Sequence, residues 1–151
     1  MTTSHADLEA VRSVVTSVTH HIDHKAWPKL RALFAEQVRS DYTSLFGGDP
    51  QQQAGEALVD GWRSSLARVA THHLLGPIEV HVAGATAYAA CHVRATNELP
   101  SAPGGATWEV LGHYLFELAR SGTGWSIAAM TLETFVQVGN TKLLAEAQGT
   151  T

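Results

Sequence analysis

Apolar residues recur at Leu8, Val11, Val15, Val18 and Ile22, at spacings of 3, 4, 3 and 4. That is the period of one helix face, and it predicts an amphipathic first helix. Trp27-Pro28 opens a short second helix, because proline suits the first helical turn, with Leu30, Leu33 and Phe34 on its buried side. Val38-Arg-Ser-Asp-Tyr42 reads as a short strand, and Gly55–Val69 as a third helix with Leu58, Trp62, Leu66 and Val69 on one face. Beyond it the chain reads as strands: His73–Val82, Thr86–Leu99, Thr107–Arg120 and Trp125–Val138. Turns at Ala83-Gly84-Ala85 and Ser121-Gly-Thr-Gly124 and a loop over Pro100–Gly105 separate them, and Lys142–Ala147 forms a short terminal helix. A second loop runs over Phe46–Gln53. Both loops are short enough to join elements within one domain.

Helices first and antiparallel strands later give an α+β fold rather than a βαβ one. Long strands invite a curved sheet with the helices closing over its concave side, which encloses a pocket. The 151 residues amount to one domain over 1–151, with no internal repeat.

Composition narrows the partners. Ten Lys+Arg against fourteen Asp+Glu give a net charge of −4, and no basic run is present. Nucleic-acid binding draws on Lys and Arg contacts to phosphate, so no nucleic-acid partner is expected. The longest stretch free of Asp, Glu, Lys and Arg, Val80–Val93, is too short to span a membrane. The first residues, MTTSHADLEAV, have neither a basic nor an apolar leader region, so a cytoplasmic protein is expected. Charged residues are only 16% of the chain, which points to a surface partly covered by a second subunit or a ligand.

Few residues offer chemistry. Asp23 sits at the edge of the first helix's apolar stripe, near its C-terminal end, where the helix dipole disfavours a negative charge. Either it caps the next helix, or it serves a partner. His72 and His73 begin a strand, and neighbours on a strand face opposite ways, so one of them points inward. An inward His beside a buried Asp makes a general base, whereas an inward His alone is ordinarily a hydrogen-bonded core residue. Nine His raise the question of a metal, but no HExxH and no short-spaced pair with a third ligand occurs, so none is expected. There is no P-loop, no G-x-G-x-x-G and no G-x-S-x-G, hence no expected cofactor and no serine nucleophile. The single Cys91 lies mid-strand and is read as inert. Tyr42 and Tyr114 carry hydroxyls that need partners if buried and could bond a substrate carbonyl.

Four segments carry a resemblance. His21-Ile-Asp23-His-Lys-Ala-Trp27 followed by Leu30-Arg-Ala-Leu-Phe34, Val38-Arg-Ser-Asp41-Tyr42, Thr71-His72-His73-Leu-Leu-Gly76, and Gly112-His-Tyr114 with Gly124-Trp125-Ser-Ile resemble the SnoaL-like branch of the NTF2-like superfamily. That branch includes scytalone dehydratase, polyketide cyclases, bile-acid dehydratase and hexachlorocyclohexane dehydrochlorinase. The resemblance implies a cone-shaped α+β barrel around a deep apolar cavity. It also implies an Asp–His dyad at Asp23 and His73, and a substrate-positioning tyrosine at Tyr42. There are departures. Asn97 stands where the dehydratase has a second histidine, and Gly112 and Tyr114 stand where it has Ser and Asn.

The reading that follows is a cofactor-free lyase or isomerase, dehydratase- or cyclase-like, acting on a small apolar or polycyclic carbonyl compound. His73 takes an acidic proton, Asp23 orients it, and Tyr42, Asn97 and Tyr114 bind the substrate or its oxyanion. The alternative is a non-catalytic ligand-binding or dimerisation module of the same fold, in which Asp23 and His73 need not touch. A third reading, an epoxide hydrolase of the limonene type, needs two strand aspartates flanking an arginine such as Arg94, and none is found. Leu111 and Leu115 on the sheet's outer face point to a homodimer.

Overall fold

The computed structural model describes residues 4–149. The described residues form five helices, α1 (His5–Asp23), α2 (Trp27–Arg31), α3 (Thr43–Phe46), α4 (Gly55–Ser65) and α5 (Leu143–Ala147). Seven strands accompany them, β1 (Phe34–Asp41), β2 (Gln51–Ala54), β3 (Ala70–Leu75), β4 (Glu79–Ala83), β5 (Thr86–Glu98), β6 (Thr107–Ser121) and β7 (Gly124–Gly139). None of the described helices is long and apolar enough to cross a membrane.

The helical stripe of α1 is the first layer of the core. Val11, Val15, Val18 and Ile22 are all buried, and the helix starts at Ser4, whose hydroxyl accepts from the Asp7 backbone N–H at 3.2 Å. Asp7 in turn accepts from the Trp125 indole N–H at 3.2 Å and from Arg120 at 3.1 Å. The start of α1 is thereby pinned to the β6–β7 hairpin.

The strands form one unclosed sheet in the order β2-β1-β7-β6-β5-β3, with β4 pairing the other end of β5. All pairs are antiparallel except β1 with β7. Curvature comes from two irregularities in the β6–β7 ladder, where Ala128 and Phe135 are extra residues on β7. Gly112 sits at the second one. A Cβ there would lie 2.2 Å from the Glu133 carbonyl oxygen, so only glycine lets the strands approach this closely.

The sequence expectations need four corrections. The second helix ends at Arg31, and Phe34 opens β1 rather than lying on a helix face. The third long helix stops at Ser65, with Leu66 and Val69 buried in the turn beyond it. The strand expected over His73–Val82 is two strands, divided at Gly76-Pro77, because proline cannot donate to a ladder. The loop over Phe46–Gln53 holds the end of α3 and most of β2. Three consecutive glutamines carry no apolar alternation, and the backbone ladder to β1 makes them a strand.

Candidate active site

Asp23 is the last residue of α1, and the chain then turns sharply through Lys25, which takes a left-handed φ of 53°. Lys25 donates from Nζ to the Leu66 and Val69 carbonyls at 2.6 and 2.7 Å. That caps the end of α4 and fixes where β3 begins. Burial lowers the Lys25 pKa, with the nearby Asp23 charge opposing.

On β3, Thr71 and His73 share one face while His72 and Leu74 are exposed on the other. The inward pair reaches Asp23. His73 Nδ1 lies 2.6 Å from Asp23 Oδ1, the His73 backbone N–H donates to Oδ2 at 2.9 Å, and the Thr71 hydroxyl donates to Oδ1 at 2.9 Å. Both side chains are largely buried, at 9% exposure for His73 and 17% for Asp23. Burial alone would raise the Asp23 pKa, but the bonds from His73 and Thr71 outweigh it and hold the carboxyl below its ordinary value. An ionised carboxylate only accepts, so the His73 ring donates from Nδ1, and in the neutral ring the lone pair is then on Nε2. Nε2 makes no hydrogen bond among the described residues.

His73 opens onto a cavity of about 430 Å³, within the usual range for small-molecule sites. Its walls are mainly apolar: Ile22, Leu58, Leu66, Val93, Val110 and Leu132. Aromatic rings frame it. Trp62 stands edge-on to Tyr42 at 6.5 Å, and Phe46 lies between Tyr42 and Trp108 at 6.4 and 6.5 Å. Phe46, exposed on α3 ahead of Gly47 and Gly48, stands at the mouth.

The other expected site residues also line this cavity. Tyr42 has only a weak contact, O–H to Met130 Sδ at 3.7 Å, and the Tyr114 hydroxyl has no hydrogen-bond partner among the described residues. Burial, reinforced by each ring's neighbours, pushes both phenol pKa values up, so both remain donors at neutral pH. Asn97 donates from Nδ2 to the Trp108 carbonyl at 3.2 Å and is fixed in the wall by that bond. Arg94 lies outside the cavity, paired with Glu109 on the opposite face. Burial raises the Cys91 pKa to about 11, which keeps it a thiol. No group of three metal-ligating side chains occurs among the described residues.

Thr71, Ser40 and Gln53 line the cavity as well, and sequence reasoning gave none of them a role in the site. Thr71 could have been found, since it stands two residues before His73 on the same strand and so shares its face. Ser40 and Gln53 could not, because their meeting depends on the β1–β2 pairing.

Several solved structures share this fold. A protein from Kribbella flavida superposes with a TM-score of 0.86 at 25% identity, covering 92% of this chain and 97% of that one. A candidate scytalone dehydratase from Novosphingobium aromaticivorans gives 0.77 at 16% identity, covering 89% and 88%. A candidate dehydratase of the NTF2-like family from Streptomyces avermitilis gives 0.75 at 15%, covering 88% and 99%. No curated protein matches the chain. The profile of the SnoaL-like domain matches residues 3–131, and with the helices laid against a curved, unclosed sheet this makes the chain a member of the SnoaL-like family, of NTF2-like fold.

Proposed function

We propose that the chain is a cofactor-independent lyase or isomerase whose base is His73. The observation that carries this reading is the His73–Asp23 pair opening on an apolar cavity. Nε2 takes a proton α to a carbonyl, and the electron pair of the broken C–H bond moves onto the carbonyl oxygen. Asp23 offsets the imidazolium charge and keeps the ring oriented. Tyr42 and Tyr114, protonated and without strong partners, donate to the developing oxyanion, and Asn97 shapes the wall beside them. Return of the proton to another carbon gives isomerisation. Loss of a β-hydroxyl, protonated by the imidazolium, gives dehydration and water.

The test is deuterium exchange at the α-carbon of a bicyclic ketone such as 2-tetralone in D₂O, followed by NMR. The wild type accelerates exchange, and His73→Ala loses that acceleration with an unchanged circular dichroism spectrum. Full acceleration in His73→Ala overturns the assignment.

The chain is also proposed to form a homodimer through the sheet's outer face. Leu74, Tyr88, Leu115, Phe135, Val136 and Val138 are exposed there, and exposed apolar side chains grouped on one sheet face favour a protein partner. Sedimentation of the wild type as a dimer and of Phe135→Asp as a monomer is the expected result. A wild-type monomer at high concentration removes the proposal.

A further inference from the structure

The cavity has a second polar group of residues, on the opposite edge of the sheet from His73. His73 belongs to β3 and Gln53 to β2, and these are the two edge strands of the order β2-β1-β7-β6-β5-β3. The sheet is curved enough that residues of both edges line one cavity. Along its inner face, β1 presents Val38 and Ser40, and their cross-strand partners on β2 are Gln53 and Gln51. Paired residues share a face, so both glutamines turn inward with Ser40. The Gln53 amide Nε2 donates to the buried Ser40 hydroxyl at 3.3 Å. That is the one hydrogen bond of the Gln53 side chain among the described residues, so its side-chain carbonyl oxygen and second amide hydrogen remain for a ligand.

Charge sharpens the picture. No Lys or Arg is among the lining residues, and the acidic side chain at the cavity is Asp49. A carboxylate or phosphate entering would lose its hydration with no Lys or Arg to replace it. The walls between the two polar ends are apolar and aromatic.

We infer that Gln53, set by Ser40, is a specificity-determining residue, whose free amide groups select uncharged ligands carrying a second hydroxyl or carbonyl remote from His73. One end meets His73 and the tyrosines, and the other meets the amide of Gln53. This rests on the cavity reading proposed above and adds the far-end contact. It predicts discrimination by a group remote from the reacting carbon. Such a contact is strengthened when the partner group would otherwise be left dry and unpaired.

Binding tests it without requiring turnover. Trp62 and Trp108 line the cavity, so quenching of their fluorescence reports occupancy. The probes are 2-naphthol, naphthalene-2,6-diol and 6-hydroxy-2-naphthoate. A neutral hydrogen bond is worth a factor of about 2 to 12 in affinity. The wild type is therefore expected to bind the diol several-fold more tightly than the naphthol, and the naphthoate more weakly than either. In Gln53→Leu the diol falls to the affinity of the naphthol, while the naphthol, which retains the His73 end, changes by less than about twofold. That unchanged naphthol affinity also establishes that the variant is folded. Equal binding of diol and naphthol by the wild type, a diol preference that survives Gln53→Leu, or tight naphthoate binding each overturn the inference. Failure of the catalytic reading is distinguishable, because it appears as undiminished exchange in His73→Ala and leaves the diol-to-naphthol ratio in Gln53→Leu unaffected.

Discussion

The two ends of the cavity are built to different standards. At the β3 end, three hydrogen bonds of 2.6 to 2.9 Å converge on one carboxylate, and each comes from a residue whose backbone is held in the sheet. At the β2 end, one bond of 3.3 Å joins two side chains, on a four-residue edge strand with solvent beyond it. The first arrangement fixes an atom, and the second offers a group that can adjust. Proton transfer requires the base within hydrogen-bond reach of its proton. Recognition of a distal hydroxyl tolerates more freedom, since it costs only the ordering of one side chain.

Breaking the rigid end has the largest expected effect. His73→Ala lowers the exchange rate by about 10²–10⁴-fold, the usual contribution of a positioned general base. Asp23→Asn is next. An amide can accept on one atom only, so the His73 ring and its backbone N–H cannot both be satisfied as they are by the carboxylate. Activity falls toward that of His73→Ala, and stability drops by about 1.5–3 kcal/mol, read from urea unfolding at neutral pH.

The same variant separates charge from shape. Asp23 has a lowered pKa in the folded chain, below its ordinary value of 3.8. A lowered acid pKa contributes stability that is fully present above the unfolded value and is lost as pH falls through the folded one. The gap in melting temperature between wild type and Asp23→Asn thus narrows as pH falls below about 4. A gap that widens on acidification would contradict the ionised pair.

Lys25→Met removes two bonds to carbonyls at the end of α4 and should cost about 1–2 kcal/mol. Activity should fall with it, because those bonds set where β3 starts. Thr71→Val is the smallest change. It keeps the shape and deletes one donor to Asp23, so a several-fold loss in rate with an upward shift of the acid limb of the pH–rate profile is expected.

The legibility of these regions from sequence follows the same division. The α1 stripe, the long strands and the inward position of one histidine are local periodicities, and they stand in the structure where the spacing places them. Asp23 was visible as a charge in the wrong place on a helix and its pairing with His73 was implied by the family resemblance, whereas the Thr71 hydroxyl as a further donor to it was not foreseen. β2 was invisible, because glutamines have no preference for strands and their register depends entirely on β1. The break at Gly76-Pro77 was written in the chain, since proline there forbids one continuous strand. Gly112, met first as a departure from the family pattern, is explained by the 2.2 Å its missing Cβ would leave to the next strand.

The parallel pairing of β1 with β7 joins Phe34 to Ile127, and Asp41 to Thr131. These partners are separated by most of the chain, and such distant pairs close late in folding. During synthesis, α1 and β1 emerge long before the strand that completes their side of the core. Until β7 arrives, Phe34 and Val38 have no sheet neighbour on that side, and the cavity does not exist. A chain released early would expose this apolar surface to other chains rather than offer a weakened site. The binding chamber is therefore a product of the finished polypeptide, and a truncation before β7 should yield aggregate in place of a partial enzyme.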